Sequence, residues 1–219
     1  MAGHKYYSKY KRIKKSKIKD DSILERIENI LKIPFVFGST KQFLQSVHEQ
    51  YNRNGNMTKS QLSAIVDIEK KYSAETVSEY EEWKTQYDDD RRYVASICAH
   101  YYKNNPPYFK DLSEKILNEK DFIPTEKQYR AMCENKFTQK VIRETRAKPK
   151  FEVGQLVQGR KNAPLKIRDF YFSVIEVGSK PVLSAAKGAK IYTLLPLGKT
   201  QTVECEERFL KKMSKKVQQ

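Results

Sequence analysis

Apolar residues recur at helical spacing over most of the chain and shift to a period of two near its end. Ile23, Leu24, Ile27, Ile30 and Leu31 form a first helical stripe, which Pro34 closes at about Ile33. Phe43, Leu44, Val47 and Tyr51 form a second, ending at Asn52–Asn56, where Gly55 suits a left-handed cap. Thr58-Lys59-Ser60-Gln61 then precedes Leu62, Ile65, Val66, Ile68 and Tyr72. Thr-x-x-Gln before an apolar run is a capping box: each side chain satisfies a backbone N–H that the first helical turn leaves unpaired. Two further helices carry Val77, Tyr80, Trp83 and Tyr87, and Tyr93, Val94, Ile97 and Tyr101. The second of these opens at Asp88-Asp89-Asp90, carboxylates suited to a helix N-terminus, and stops at Asn104-Asn105-Pro106-Pro107. After a helix with Phe109, Leu112, Ile116 and Leu117, the box returns at Thr125-Glu126-Lys127-Gln128, ahead of Tyr129, Met132, Cys133 and Phe137. The pattern predicts two copies of a helix–loop–capped-helix unit.

The helical pattern stops at Arg146-Ala147-Lys148-Pro149-Lys150. Strand-like runs follow at 151–159, 170–178, 190–197 and 200–205, with a closing turn or short helix at 206–210 and a frayed basic stretch from Lys211 onward. Short strands with glycine turns over so few residues predict a small β-barrel. The fold class is therefore α+β: a disordered basic arm (1–20), an all-α helical domain (21–145), a small C-terminal β-barrel (146–212) and a basic tail (213–219).

Charge divides along the same lines. Residues 1–19 hold eight Lys or Arg and no acid, and 146–219 hold sixteen basic against six acidic residues, within a chain of net charge +16. The remainder is close to neutral, so the cations sit at the two ends. Such ends concentrate polyanions. In the arm, Lys5, Lys9, Lys11, Arg12, Lys14, Lys15 and Lys17 are interleaved with Tyr6, Tyr7 and Tyr10, which pairs phosphate neutralisation with rings able to stack on unpaired bases. In the barrel, Arg160, Lys161, Lys166, Arg168, Lys187 and Lys190 fall in loops broken by Gly, Ala and Pro rather than by acids. Tyr171, Phe172 and Tyr192 are available for stacking wherever they face outward.

The run Phe-x-Val-Gly-x-Leu-Val (151–157), the strand Phe-Ser-Val-Ile-Glu-Val (172–177) and the stretch from Ile191 to Leu210 resemble small barrels of the Src-homology-three, Tudor and KOW kind. The apolar helix, Asn/Gly turn and Thr-Lys-x-Gln of residues 41–72, with a looser copy at 108–142, resemble short helical modules of tailed-bacteriophage accessory proteins.

No apolar run approaches the ~20 residues of a membrane span. Cys98, Cys133 and Cys205, widely spaced, fit free thiols in a reducing, cytoplasmic setting. Cys98-Ala99-His100 lacks zinc spacing, Asp88–Asp90 reads as a helix start, and no phosphate-binding glycine loop or nucleophile motif occurs. These features lead to the expectation of a non-enzymatic protein without cofactor or metal. Arm and barrel loops grip DNA or RNA, while the helical body docks on a replication or transcription machine. An adaptor or regulator of RNA polymerase, and a structural component of a virion or ribonucleoprotein particle, are the alternatives.

Overall fold

The computed structural model describes residues 17–20 and 22–213. The arm before Lys17 and the tail after Met213 lie outside them. Among the described residues, eight helices are followed by a five-stranded antiparallel sheet, an α+β architecture. The chain divides into two compact units, 1–79 and 80–219.

The first unit contains β1 (Lys17–Ile18), α1 (Ile23–Leu31), α2 (Gly38–Asn54), β2 (Met57–Thr58) and α3 (Lys59–Lys71). Its core joins Ile23, Ile27 and Ile30 of α1 to Leu44, Val47 and Tyr51 of α2, with Met57 and Ile65. Gly55 ends α2 at φ 60, as its lack of a Cβ permits. The capping box is complete: Gln61 N donates to Thr58 Oγ1 at 3.2 Å and Thr58 N to Gln61 Oε1 at 2.9 Å. Gln61 also donates from Nε2 to Gln50 Oε1 at 3.1 Å, tying the start of α3 back to α2.

One expectation is corrected here. Lys17 and Ile18, assigned to a disordered arm, form β1, antiparallel to β2 with Ile18 opposite Met57. Ile18 packs on the core, and the Tyr51 hydroxyl anchors Asp20 by donating to its carbonyl and accepting from its N–H, both at 2.9 Å. Arg26 closes the corner with a two-point contact to Glu69, at 2.7 Å each, and a bond to Asp20 at 2.8 Å.

The chain passes into the second unit within α4 (Ala74–Gln86). There follow α5 (Asp89–Asn104), α6 (Lys110–Asn118), α7 (Glu126–Cys133) and α8 (Lys136–Arg146). Asp88 caps α5 through the N–H of Arg91. The second capping box, Thr125 with Gln128, is also complete. Trp83, Tyr87 and Tyr129 pack ring to ring, and Trp83 Nε1 donates to Pro124 O at 2.8 Å.

The two helical hairpins share their caps more than their lengths, because the capped helix of the second stops at Cys133. Asn135 is the cause: its side chain accepts from the N–H of both Phe137 and Thr138 and so starts a new helix. The apolar phase requires that break. On one continuous helix Tyr129, Met132 and Cys133 would lie about 180° from Thr138, Val141 and Ile142. All six are buried. Phe137, expected on the same stripe, is about half exposed.

The sheet comprises β3 (Leu156–Gly159), β4 (Tyr171–Val177), β5 (Ile191–Pro196), β6 (Val203–Glu206) and β7 (Leu210–Lys212), in the order β6-β5-β4-β3-β7. A 3-10 turn at Glu207–Phe209 lets the chain return to pair with β3. The sheet is open: among the described residues no ladder joins β6 to β7. The first strand is shorter than its sequence suggests, since Gly154, at φ 82, turns the chain just before it. Lys211 and Lys212, expected to fray, belong to β7. The sheet core is Phe151, Val157, Ala163, Ile167, Phe172, Val174, Tyr192, Leu194, Cys205 and Leu210. Tyr192 is fully buried; its hydroxyl donates to Glu207 at 2.8 Å and accepts from Lys150 N at 3.1 Å. Burial pushes its pKa up to about 12; the Phe151 N–H opposes the rise, and the hydrogen bond to Glu207 and that carboxylate's charge add to it.

Thr58→Ala and Thr125→Ala should each lower the unfolding free energy by about 0.5–2 kcal/mol, read by urea denaturation, and Ser at either position should restore most of it.

Candidate nucleic-acid interface

Side chains alternate across the sheet. Val157, Phe172, Val174, Tyr192 and Leu194 point into the core, which places Gln158 and Tyr171 on the opposite face. Register then builds a row. Lys211 of β7 lies opposite Gln158 of β3, and Gln158 lies opposite Tyr171 of β4. Leu197, the residue just after β5, continues the row, its N–H donating to Tyr171 O at 3.0 Å. Beside the row, Phe170 is 49% exposed, and the Lys199 ammonium stands over its ring at 5.8 Å. The turn at Gly198, φ 77, brings Lys199 to that position. One end of the sheet thus carries Lys211, Gln158, Tyr171, Phe170 and Lys199 together.

The β3–β4 loop borders this surface. Ala163 and Ile167 anchor it in the core, while Lys161, Lys166 and Leu165 are exposed. It crosses directly against β3, where a Cβ on Gly159 would stand 1.8 Å from Ile167 O. Arg160 donates from Nε to Leu210 O at 2.8 Å and Arg168 from Nε to Ala163 O at 3.3 Å. Lys161, Lys166, Arg160 and Arg168 make no ion pair among the described residues.

The remaining predicted residues separate into three groups. Lys5, Tyr6, Tyr7, Lys9, Tyr10, Lys11, Arg12, Lys14 and Lys15 lie outside the described residues. Lys17 is exposed on β1, in the first unit. Lys187 and Lys190 sit on the β4–β5 loop, which is clamped to the end of α8. There Gly188 N donates to Glu144 Oε2 at 2.7 Å, and Lys190 Nζ donates to Thr145 O at 2.9 Å and Ala147 O at 2.6 Å. Lys190 is therefore a helix C-terminal cation rather than a free loop charge. Lys187 stays exposed. Gly188 is needed at φ 73, and a Cβ there would meet Arg208 at 3.0 Å.

Two of the three candidate stacking rings are in the core: Phe172 and Tyr192 are fully buried. The alternation of β4 already separates them from Tyr171, because Phe172 shares a face with Val174. Phe170, Lys199 and Lys211 are additions to the surface; only register, invisible in one strand at a time, brings them together.

Among the described residues, no helix is long and apolar enough to cross a membrane, and no group of three His, Cys, Asp or Glu side chains could hold a metal ion. Cys98, Cys133 and Cys205 are free and buried, and burial pushes the Cys205 thiol up to about 12. No family model, curated protein or solved structure matches this chain.

Gly159→Ala should force the β3–β4 loop off the sheet and lower stability by about 1–3 kcal/mol or more, measured by urea denaturation. A variant as stable as the parent would show that the loop yields freely at this contact.

Proposed function

We propose that the protein is a non-enzymatic nucleic-acid-binding accessory factor whose sheet takes up a single strand. The observation that carries this reading is the cross-strand row of Lys211, Gln158 and Tyr171 beside the half-exposed Phe170 and its Lys199. Aromatic faces accept any base, and cations beside them track the phosphates, a combination that binds single strands with little sequence preference. Lys161, Lys166, Arg160 and Arg168 extend the cationic surface along the adjoining loop. The basic arm adds phosphate contacts in the same electrostatic manner. The near-neutral helices hold a protein partner, and their similarity to tailed-phage modules makes a phage replication or transcription machine the setting.

Anisotropy titrations of a labelled 20-nucleotide oligo(dT) and of a 20-base-pair duplex, at about 50 mM salt, test this. Phe170→Ala and Tyr171→Ala should each weaken single-strand binding by about 1–3 kcal/mol while changing duplex binding far less. A thermal melt checks that each variant stays folded. Wild-type protein that binds neither probe at that salt, where phosphate contacts are strong, ends the proposal.

A further inference from the structure

The exposed side of α8 carries a stripe of cations. Lys136, Lys140 and Arg143 stand at i, i+4 and i+7, within about 60° of one another around the helix axis. Its opposite side buries Thr138, Val141 and Ile142, so the stripe cannot turn inward. At its C-terminal end the stripe opens on a cleft of about 450 Å3 lined by Lys140, Arg143, Glu144, Ala185 and Lys187.

The single acid in this cleft is already engaged. Glu144 accepts the Gly188 N–H at 2.7 Å and so holds the loop bearing Lys187 against the helix. Lys190 secures the same loop through the carbonyls of Thr145 and Ala147. Lys140, Arg143 and Lys187 form no ion pair among the described residues. Three cations thus converge on a concave surface with one carboxylate turned to a structural task. Low-dielectric walls around charges of one sign focus the field and draw in anions.

We infer that this cleft binds backbone phosphates of a nucleic-acid strand, making α8 and the β4–β5 loop a second phosphate contact of the second unit. The ligand class follows from the chemistry: an Arg fork and two ammonium groups suit phosphodiester oxygens. The inference rests on the proposed nucleic-acid reading and adds a place to it. It also assigns part of the helical region, near-neutral as a whole, to the polyanion rather than to a protein partner.

The test uses the full-length chain and labelled 20-nucleotide oligo(dT) over a salt series. Three phosphate contacts at about 0.7 each predict that the Lys140→Gln/Arg143→Gln/Lys187→Gln variant has a log K against log salt slope shallower by about 2. Its affinity should fall about a hundredfold at about 0.1 M salt. Lys187→Gln alone should lose about 0.7 of slope. Lys140→Arg/Lys187→Arg should keep the wild-type slope. All substituted side chains are exposed, and an unchanged melting temperature confirms that folding is not the cause. A triple variant with the wild-type slope overturns the inference and leaves the sheet proposal standing. Wild-type protein that binds neither oligo(dT) nor duplex overturns both.

Discussion

The second unit depends on one carboxylate meeting one backbone N–H. Glu144, in the last turn of α8, accepts from Gly188, and Lys190 completes the junction by capping the last carbonyls of the same helix. The loop that makes these contacts also binds the 3-10 turn between β6 and β7, through Arg208 N to Gly188 O at 2.8 Å and Glu207 N to Lys190 O at 2.9 Å. Helix, loop and 3-10 turn are thereby fixed to one another over a few residues. A charge-assisted bond to a backbone N–H holds geometry better than a surface ion pair, since one partner cannot rotate away. Gly188 is the residue at which any side chain would press on Arg208, so the junction tolerates no substitution there without movement.

This junction explains why a count of cations describes the protein poorly. Lys190 and Lys187 are near neighbours in sequence, yet the first is engaged by carbonyls and the second is left exposed. Arg160 and Arg168 each use Nε on a backbone carbonyl, which braces the β3–β4 loop and fixes where their charge sits. Lys180 pairs with Glu204 and Arg208 with Glu206, which takes both out of the free positive charge of the sheet. What remains is concentrated at the Tyr171 end of the sheet and along α8.

Much of the fold could be read directly where the chemistry is local. Both capping boxes, the Gly55 cap, the Asp88 start and the change of period after Arg146 are short-range effects, and the structure contains each. The features that could not be read are set by distant partners. Ile18 becomes a strand because Met57 lies opposite, and Lys211 because Gln158 does. The core positions of Phe172 and Tyr192 were within reach, since period-two alternation groups them with Val174 and Leu194. The interface was legible as residue types, basic loops with aromatics close by, but not as a surface. Tyr171, Phe170 and Lys199 meet only through the β4–β5 register and the turn at Gly198.

The break at Asn135 divides α7 from α8 into stretches with different tolerance of length change. A cap imposes no rotational register on what comes before it, so one extra residue between Cys133 and Asn135 lengthens a connection. The same residue inserted in the middle of α8 rotates everything beyond it by about 100°. Placed just before Lys140, it would put Val141 where Ile142 was, turn Ile142 out to the exposed side and bring Lys140 into the core. Insertions and deletions in descendants of this gene should therefore collect at the junction, while α8 changes only by substitution.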